Sequence, residues 1–214
     1  MARGESASKA KIIAATLDLL RAAGLAGAGI NNIVAVSGAP KGSVYHFFPG
    51  GKHELVAAAL RQAEGVVGEG FRAIFSGDAA LSQKVLALFQ VTAERIEATG
   101  FTKGCPVAAV TLDIDDASED LRPISDAAFA TWRQIIASGL SDVPAAERNK
   151  VAQWILATLE GALILARAQT SADPLLETGE LLALTLSRGS PPSRNGRDTR
   201  KRDSTRRSRE RARS

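Results

Sequence analysis

Residues 29–52 read GINNIVAVSGAPKGSVYHFFPGGK, and their punctuation decides the fold. Ile33, Val34, Val36, Val44 and Phe48 recur at spacings that suit the inner faces of two short helices. Asn31 stands where the first of them would begin, and its side-chain oxygen can accept from an otherwise unpaired backbone N–H. Gly38 supplies the tight turn after Ser37. Pro40 suits the first turn of the second helix, because a backbone N–H there would lack an intrahelical partner anyway. Pro49-Gly50-Gly51 stops that helix after Phe47. Two short helices joined by Ser37-Gly38-Ala39 form a helix-turn-helix pattern. The second helix would turn Lys41, Gly42, Ser43, Tyr45 and His46 outward. Lys and Ser can reach base edges, Gly permits close approach, and Tyr and His can donate to phosphate. Composition alone leaves an ordinary helical hairpin equally open.

Outward from this stretch the chain also reads as helical. Ile13, Leu17 and Leu20 mark a first helix from about residue 8 to Ala23, which Gly24 can close. Further helices are expected over Lys52–Phe75, Leu81–Ala98, Pro106–Leu112, Leu121–Leu140, Pro144–Gln169 and Asp173–Ser187. Gly100 to Pro106 reads as a loop and Asp113–Glu119 as an acidic connection. No stretch alternates β-branched residues with period two, so the fold class is all-α. After Arg188 the sequence contains one apolar residue, Ala212. Residues 189–214 are therefore expected to be a disordered basic tail, too polar to offset chain entropy by burial.

The chain of 214 residues, 45% hydrophobic and 23% charged, has the composition of one or two ordinary globular domains. Its lone cysteine, Cys105, excludes an intramolecular disulfide and a cysteine-rich zinc site. Two histidines, His46 and His53, leave little for a metal centre or a histidine-based triad. The formal net charge of +4 is unevenly distributed. Residues 1–61 hold seven Lys/Arg and three Asp/Glu, residues 62–187 hold nine and seventeen, and residues 188–214 hold eleven and three. No targeting signal is evident. The apolar run WILATLEGALILARA is interrupted by Glu160 and reads as too short to span a bilayer comfortably. A cytoplasmic protein without a membrane partner is expected.

The run Lys41-Gly42-Ser43-Val44-Tyr45-His46-Phe47-Phe48, followed by Lys52 and preceded by Ile33-Val34, Ser37-Gly38 and Ala23-Gly24, resembles the DNA-binding domain of the TetR family of bacterial transcriptional regulators. The Pro49-Gly50-Gly51 loop and Gly104-Cys105-Pro106-Val107-Ala108-Ala109 resemble its LmrA- and YxaF-like subgroup. The resemblance implies a helix-turn-helix domain over residues 6–66, with the motif at about 29–48. It implies a helical ligand-binding and dimerisation domain over 67–188, and the tail lies outside it. Lys41, Gly42 and Ser43 match positions that enter the major groove. Tyr45 and His46 match an aromatic pair that contacts backbone and bases, and Lys52 matches a phosphate-contacting lysine. Ala28, Gly29 and Ile30 stand where the family often has Thr or Ser; Asn31, with Asn32 beside it, is the candidate to take over that capping and phosphate role. The implied function is a homodimeric regulator, a repressor released from a palindromic double-stranded operator by a small apolar or aromatic effector. It implies no enzyme activity, no catalytic residues and no cofactor.

In the second domain Phe89, Phe101, Phe129, Trp132 and Trp154, with Cys105, are the candidate cavity residues, and Arg133 or Gln134 a candidate polar anchor. Plain core packing is the alternative for each. At a helix start the Cys105 thiolate would be favoured; a small buried residue in a tight loop is the other reading. Asp113, Asp115, Asp116, Glu119 and Asp120 lack the EF-hand pattern, so a solvated loop is expected there and no metal site. The last two helices carry Trp154, Leu165 and Leu182 on apolar faces suited either to a four-helix dimer interface or to packing within the chain. Two other functions are open to such a sequence: an all-helical enzyme using the acidic middle, and a non-specific nucleic-acid-binding protein driven by the tail. Gly27-Ala28-Gly29 lacks the third glycine and the strand of a dinucleotide site, and Gly51-Lys52 is followed by His53, not by the hydroxyl of a P-loop.

Overall fold

Nine α-helices and one short 3-10 helix make up residues 2–188, those the computed structural model describes, with side chains from Ser6; no strand occurs among them. The basic segment 189–214 lies outside the described residues. Helix α1 (Ala2–Gly27) breaks at Ala23 and Gly24, where Gly24 takes φ 59° and ψ −156°. That backbone region is essentially closed to residues with a Cβ. Helices α2 (Ile30–Ser37) and α3 (Lys41–Phe47) are joined through Gly38, which is left-handed at φ 66° and donates its N–H to Val34 O.

Ile12 of α1, Ile33 of α2, Val44 of α3, Phe48 and Leu55 of α4 (Gly51–Phe75) form a small separate core. Each is at most 2% exposed, worth roughly 1.5–3 kcal/mol apiece. Two expectations fail here. Gly29, not Asn31, precedes α2 in extended conformation; Asn31 sits inside the helix, and Asn32 Nδ2 instead donates to Gly27 O at 3.0 Å. Val36 is 56% exposed, because the short α2 has room for one inward stripe and Ile33 occupies it.

The 25 residues of α4 run unbroken from this core into the larger one. There α5 (Leu81–Glu97) packs on α9 (Asp173–Arg188), and α4 on α7 (Arg122–Ser138). Helix α8 (Arg148–Gln169) packs on α7 and α9, and α6 (Pro106–Asp113) on α1. Phe75, Leu88, Phe89, Trp132 and Ile155 lie at its centre. The expected acidic connection is partly ordered: Asp116–Leu121 is a 3-10 helix, held by Ser118 Oγ donating to Asp115 Oδ1 at 2.6 Å and accepting from Asp115 N at 2.9 Å. Contrary to expectation, α8 with its 22 residues is long and apolar enough to cross a membrane by length and composition alone. Its apolarity has another cause: Ala152, Ile155, Leu159 and Ala166 face the core, while Trp154, Ile164 and Leu165 are exposed on another side.

Candidate nucleic-acid interface and inner cavity

Helix α3 divides its seven residues cleanly. Val44 is fully buried, and Phe48 behind it is 2% exposed. This anchors the helix so that Lys41, Gly42, Tyr45 and His46 are exposed and Ser43 is half-buried. Tyr45, 47% exposed, presents a ring and a phenol with no intramolecular partner needed to hold them. The His46 ring meets Phe47 edge-on at 5.1 Å between centroids. Asn31 and Asn32 are exposed at the start of α2, and Lys41 Nζ lies 3.4 Å from Asn31 Oδ1. Asn31 and Lys41 are thus brought together, while Tyr45 and His46 are exposed further along α3. Lys52 sits differently: it is half-buried and its Nζ donates to Leu25 O at 2.7 Å, fastening the start of α4 to the end of α1.

The end of α1 is stitched to the larger core by several polar contacts. Gly104 N donates to Arg21 O at 3.0 Å, and Leu25 N donates to Asp113 Oδ2 at 2.7 Å. Arg167 Nη2 reaches Thr102 O at 3.1 Å and Ala22 O at 3.4 Å. Lys103 pairs with Asp18 at 3.1 Å, and His53 Nδ1 lies 3.1 Å from Asp120 Oδ1. The acidic run is therefore largely committed within the chain, since Glu119 also pairs with Arg122. Among the described residues no group of His, Cys, Asp and Glu is arranged to hold a metal ion.

Between α1, α4, α5, α7 and α8 lies a cavity of about 410 Å³, a size usual for small-molecule sites. Val67, Phe71, Trp132, Leu159 and Leu163 give it an apolar wall, and Arg21, Arg95, Cys105 and Glu160 its polar points. Trp132 is held in place by Nε1 donating to Glu64 O at 2.9 Å and by the edges of Phe71 and Phe129. Of the six residues expected from sequence, Trp132 and Cys105 reach this cavity. The other four lie elsewhere: Phe89 packs against Gly179, Phe101 and Phe129 pack on the core, and Trp154 is 45% exposed. Arg133 bonds Gln153 Oε1 at 3.0 Å outside the cavity, and Gln134 is exposed. Aromatic type alone does not say which face of a helix a residue occupies.

Glu160, read from the sequence only as a break in an apolar run, is a polar residue of the cavity wall. Burial pushes its carboxyl up to about 7, while the hydrogen bond from the Cys105 thiol pulls the other way. Burial, with the Glu160 charge, also pushes the Cys105 thiol well up, against the pull of the Ala108 and Val107 N–H groups. Cys105 Sγ does accept from Ala108 N at 3.5 Å at the start of α6, but desolvation outweighs that contact, and an activated thiolate is not what this site makes. The signal for Glu160 was available: it stands among Leu156, Leu159 and Leu163 on an apolar helix, where an acid needs a reason.

Residues 12–59 match the description "Bacterial regulatory proteins, tetR family", and residues 82–181 match "Transcriptional regulator LmrA/YxaF-like, C-terminal domain". The uncharacterised HTH-type transcriptional regulator YxaF of Bacillus subtilis is 30% identical over 186 residues, 86% of this chain and 96% of that one. A crystal structure of a TetR transcriptional regulator from Chloroflexus aurantiacus superposes with a TM-score of 0.72 at 28% identity, over 86% of this chain and 96% of that one. A cysteine-substituted CifR, solved in complex with 26-base-pair operator DNA, shares the fold with a TM-score of 0.71 at 20% identity, over 85% and 96%. An anchored α3 with an exposed polar face, two matching regions and a near full-length relative converge: the chain is a member of the TetR family of transcriptional regulators, not an enzyme.

Proposed function

We propose that this chain is a homodimeric, cytoplasmic repressor that reads a palindromic operator with α3 and leaves it when a small, largely apolar effector enters the cavity. The observation that carries the reading is the division of α3: Val44 is buried and holds it while Lys41, Gly42, Tyr45 and His46 are exposed. Lys41, Gly42, Ser43 and Tyr45 are assigned to the major groove and its flanking phosphates, with Asn31, Asn32 and His46 at the margin. Lys52 is assigned a phosphate contact through whatever donor capacity its bond to Leu25 O leaves. The reading divides the chain into a DNA-binding unit over 6–66 and a sensor over 67–188.

The exposed apolar side chains Trp154, Ile164 and Leu165 of α8, with Leu181 and Leu184 of α9, support a two-fold interface. Such symmetry sets the two α3 helices about one helical turn of DNA apart, about 34–36 Å. Release requires that effector bind one of two arrangements better than the other. The loop that closes the cavity supports a route for it: Lys103 and Gly104 line the cavity and bond α1 directly. Tyr45→Ala and Lys41→Ala are expected to abolish operator shifts in gel assays while leaving the dimer intact by light scattering. Unchanged operator affinity in both variants would refute the reading.

A further inference from the structure

Lys84 is the one cation among the buried residues described, with 5% of its surface exposed. None of the ion pairs among the described residues includes it. Its Nζ donates to Gly139 O at 3.1 Å, at the C-terminal end of α7. That carbonyl answers one of the three N–H groups of the ammonium. Covering a charge with so few partners costs free energy, so a lysine in this state needs a reason. Reading DNA does not supply it: the 25 residues of α4, about 37 Å of helix, lie between α3 and the end of the sensor where Lys84 stands.

Lys84 lines a cleft of about 350 Å³ where the ends of α4 and α7 meet the start of α5. The cleft shares no residue with the inner cavity. Its walls are fixed by contacts of their own. Gly139 comes so close to α4 that a Cβ there would collide with Phe75 O. The loop that carries Ser141 is pinned by Arg148, whose Nε donates to Val143 O at 2.9 Å and whose Nη2 donates to Ser141 O at 3.2 Å. Around Lys84 stand Arg72, Ser76, Ser138 and Ser141. Arg72 bonds Glu69 at 2.7 Å, an exposed pair of the kind worth little in water, so it can exchange that partner for a stronger anion. Asp78 is the one acid on the wall.

We propose that this cleft binds a phosphate group, with Lys84 and Arg72 meeting its charge and the serine hydroxyls donating to its oxygens. Two cations match the charge of about −1.5 to −2 that a phosphate carries near neutral pH, and charge-assisted bonds of this kind are the strong ones. An ionised Asp78 only accepts, so it faces a hydroxyl of the ligand, either P–OH or that of an organic part. Sulfate has no proton to offer there and is the poorer ligand. Such a ligand ties three helix ends together at the far end of α4, independently of what fills the inner cavity.

The test is calorimetric titration of the full chain with inorganic phosphate, glycerol 3-phosphate and sulfate at constant ionic strength. At least one phosphate is expected to bind about tenfold more tightly than sulfate. Lys84→Met should weaken that binding about tenfold. Arg72→Gln, at a side chain 51% exposed, should weaken it severalfold without disturbing the fold, which keeps the test valid if Lys84→Met fails to fold. Both variants, where folded by circular dichroism, should keep the operator shift of the wild type. Tighter binding of glycerol 3-phosphate marks the ligand as a phosphate monoester, and tighter binding of inorganic phosphate marks it as the free ion. Phosphate affinity unchanged in the variants would place the binding elsewhere on the chain and overturn the proposal. A wild-type chain that binds neither phosphate, or binds sulfate equally well, would overturn it too.

Discussion

Glu160→Gln should change the pH dependence of stability, and the size of the effect follows from burial. Burial moves the carboxyl from 4.5 to about 7. A group that holds its proton more tightly in the folded than in the unfolded chain favours folding while protonated. That contribution is complete below about 4.5 and is lost as pH rises through about 7. At 1.36 kcal/mol per pKa unit the loss reaches about 3 kcal/mol per subunit as a ceiling. Glutamine keeps the shape and an acceptor oxygen but does not titrate. The variant and the wild type are therefore expected to melt close together near pH 5, to separate progressively up to about pH 7 and to keep a constant gap above it, with the variant higher. For a chain of this size 1 kcal/mol corresponds to about 2–4 °C, so the gap should reach roughly 6–12 °C by pH 8.5. Thermal melts of both proteins in half-unit steps from pH 5.0 to 8.5 measure it, and titrations of groups that do not touch Glu160 cancel in the difference. A gap that stays constant across the range would refute the argument that Glu160 is desolvated.

Gly24→Ala should destabilise the chain by about 1–3 kcal/mol, because φ 59° with ψ −156° excludes a Cβ and the added methyl meets the Asp113 carboxylate; an unchanged melting temperature would show that the α1 break is not needed. Lys52→Ala should cost about 1–2 kcal/mol by leaving Leu25 O unpaired, and should flatten the salt dependence of operator binding by about one unit of slope. An unaltered melt contradicts the first role and an unaltered slope the second. Leu165→Asp with Leu181→Asp, at positions 52% and 66% exposed, should leave the subunit folded by circular dichroism but monomeric in sedimentation, with operator affinity lost; a persisting dimer would move the interface elsewhere.

The helix-turn-helix was legible because its signals are local. Gly38 and the spacing from Ile33 to Val44 and Phe48 act over a few residues, and the structure uses each as expected. Asn31 misled because two candidate caps adjoin, and backbone geometry at Gly29 settled the choice. Lys52 was legible as a basic residue at a helix start, but its partner is 27 residues away at Leu25, a contact no local pattern announces. The cavity was the least legible part. Phe89, Phe129 and Trp154 share a residue type with Trp132 but not a face, and the wall is completed by Arg21 from a helix more than a hundred residues earlier than Glu160. A lone acid among leucines carried more information than the aromatics around it.

The seam at the end of α1 has a consequence for modularity. Gly104 bonds Arg21 through its carbonyl, Arg167 bonds the carbonyl of Ala22, Asp113 the N–H of Leu25, and Lys52 the carbonyl of Leu25. On the α1 side these four contacts are made by main-chain atoms, whose chemistry is the same in any sequence, and the Asp18 carboxylate, paired with Lys103, adds one side chain to them. What the sensor grips is the shape of a helix end, with Gly24 as the residue that shape demands. Helices α2 and α3, which make none of these contacts, are correspondingly free to diverge on their exposed faces, and with them the operator that is read. A DNA-reading unit grafted from another chain would inherit this sensor's grip as long as its first helix breaks in the same way and keeps the partners that Asp18 and Leu20 supply.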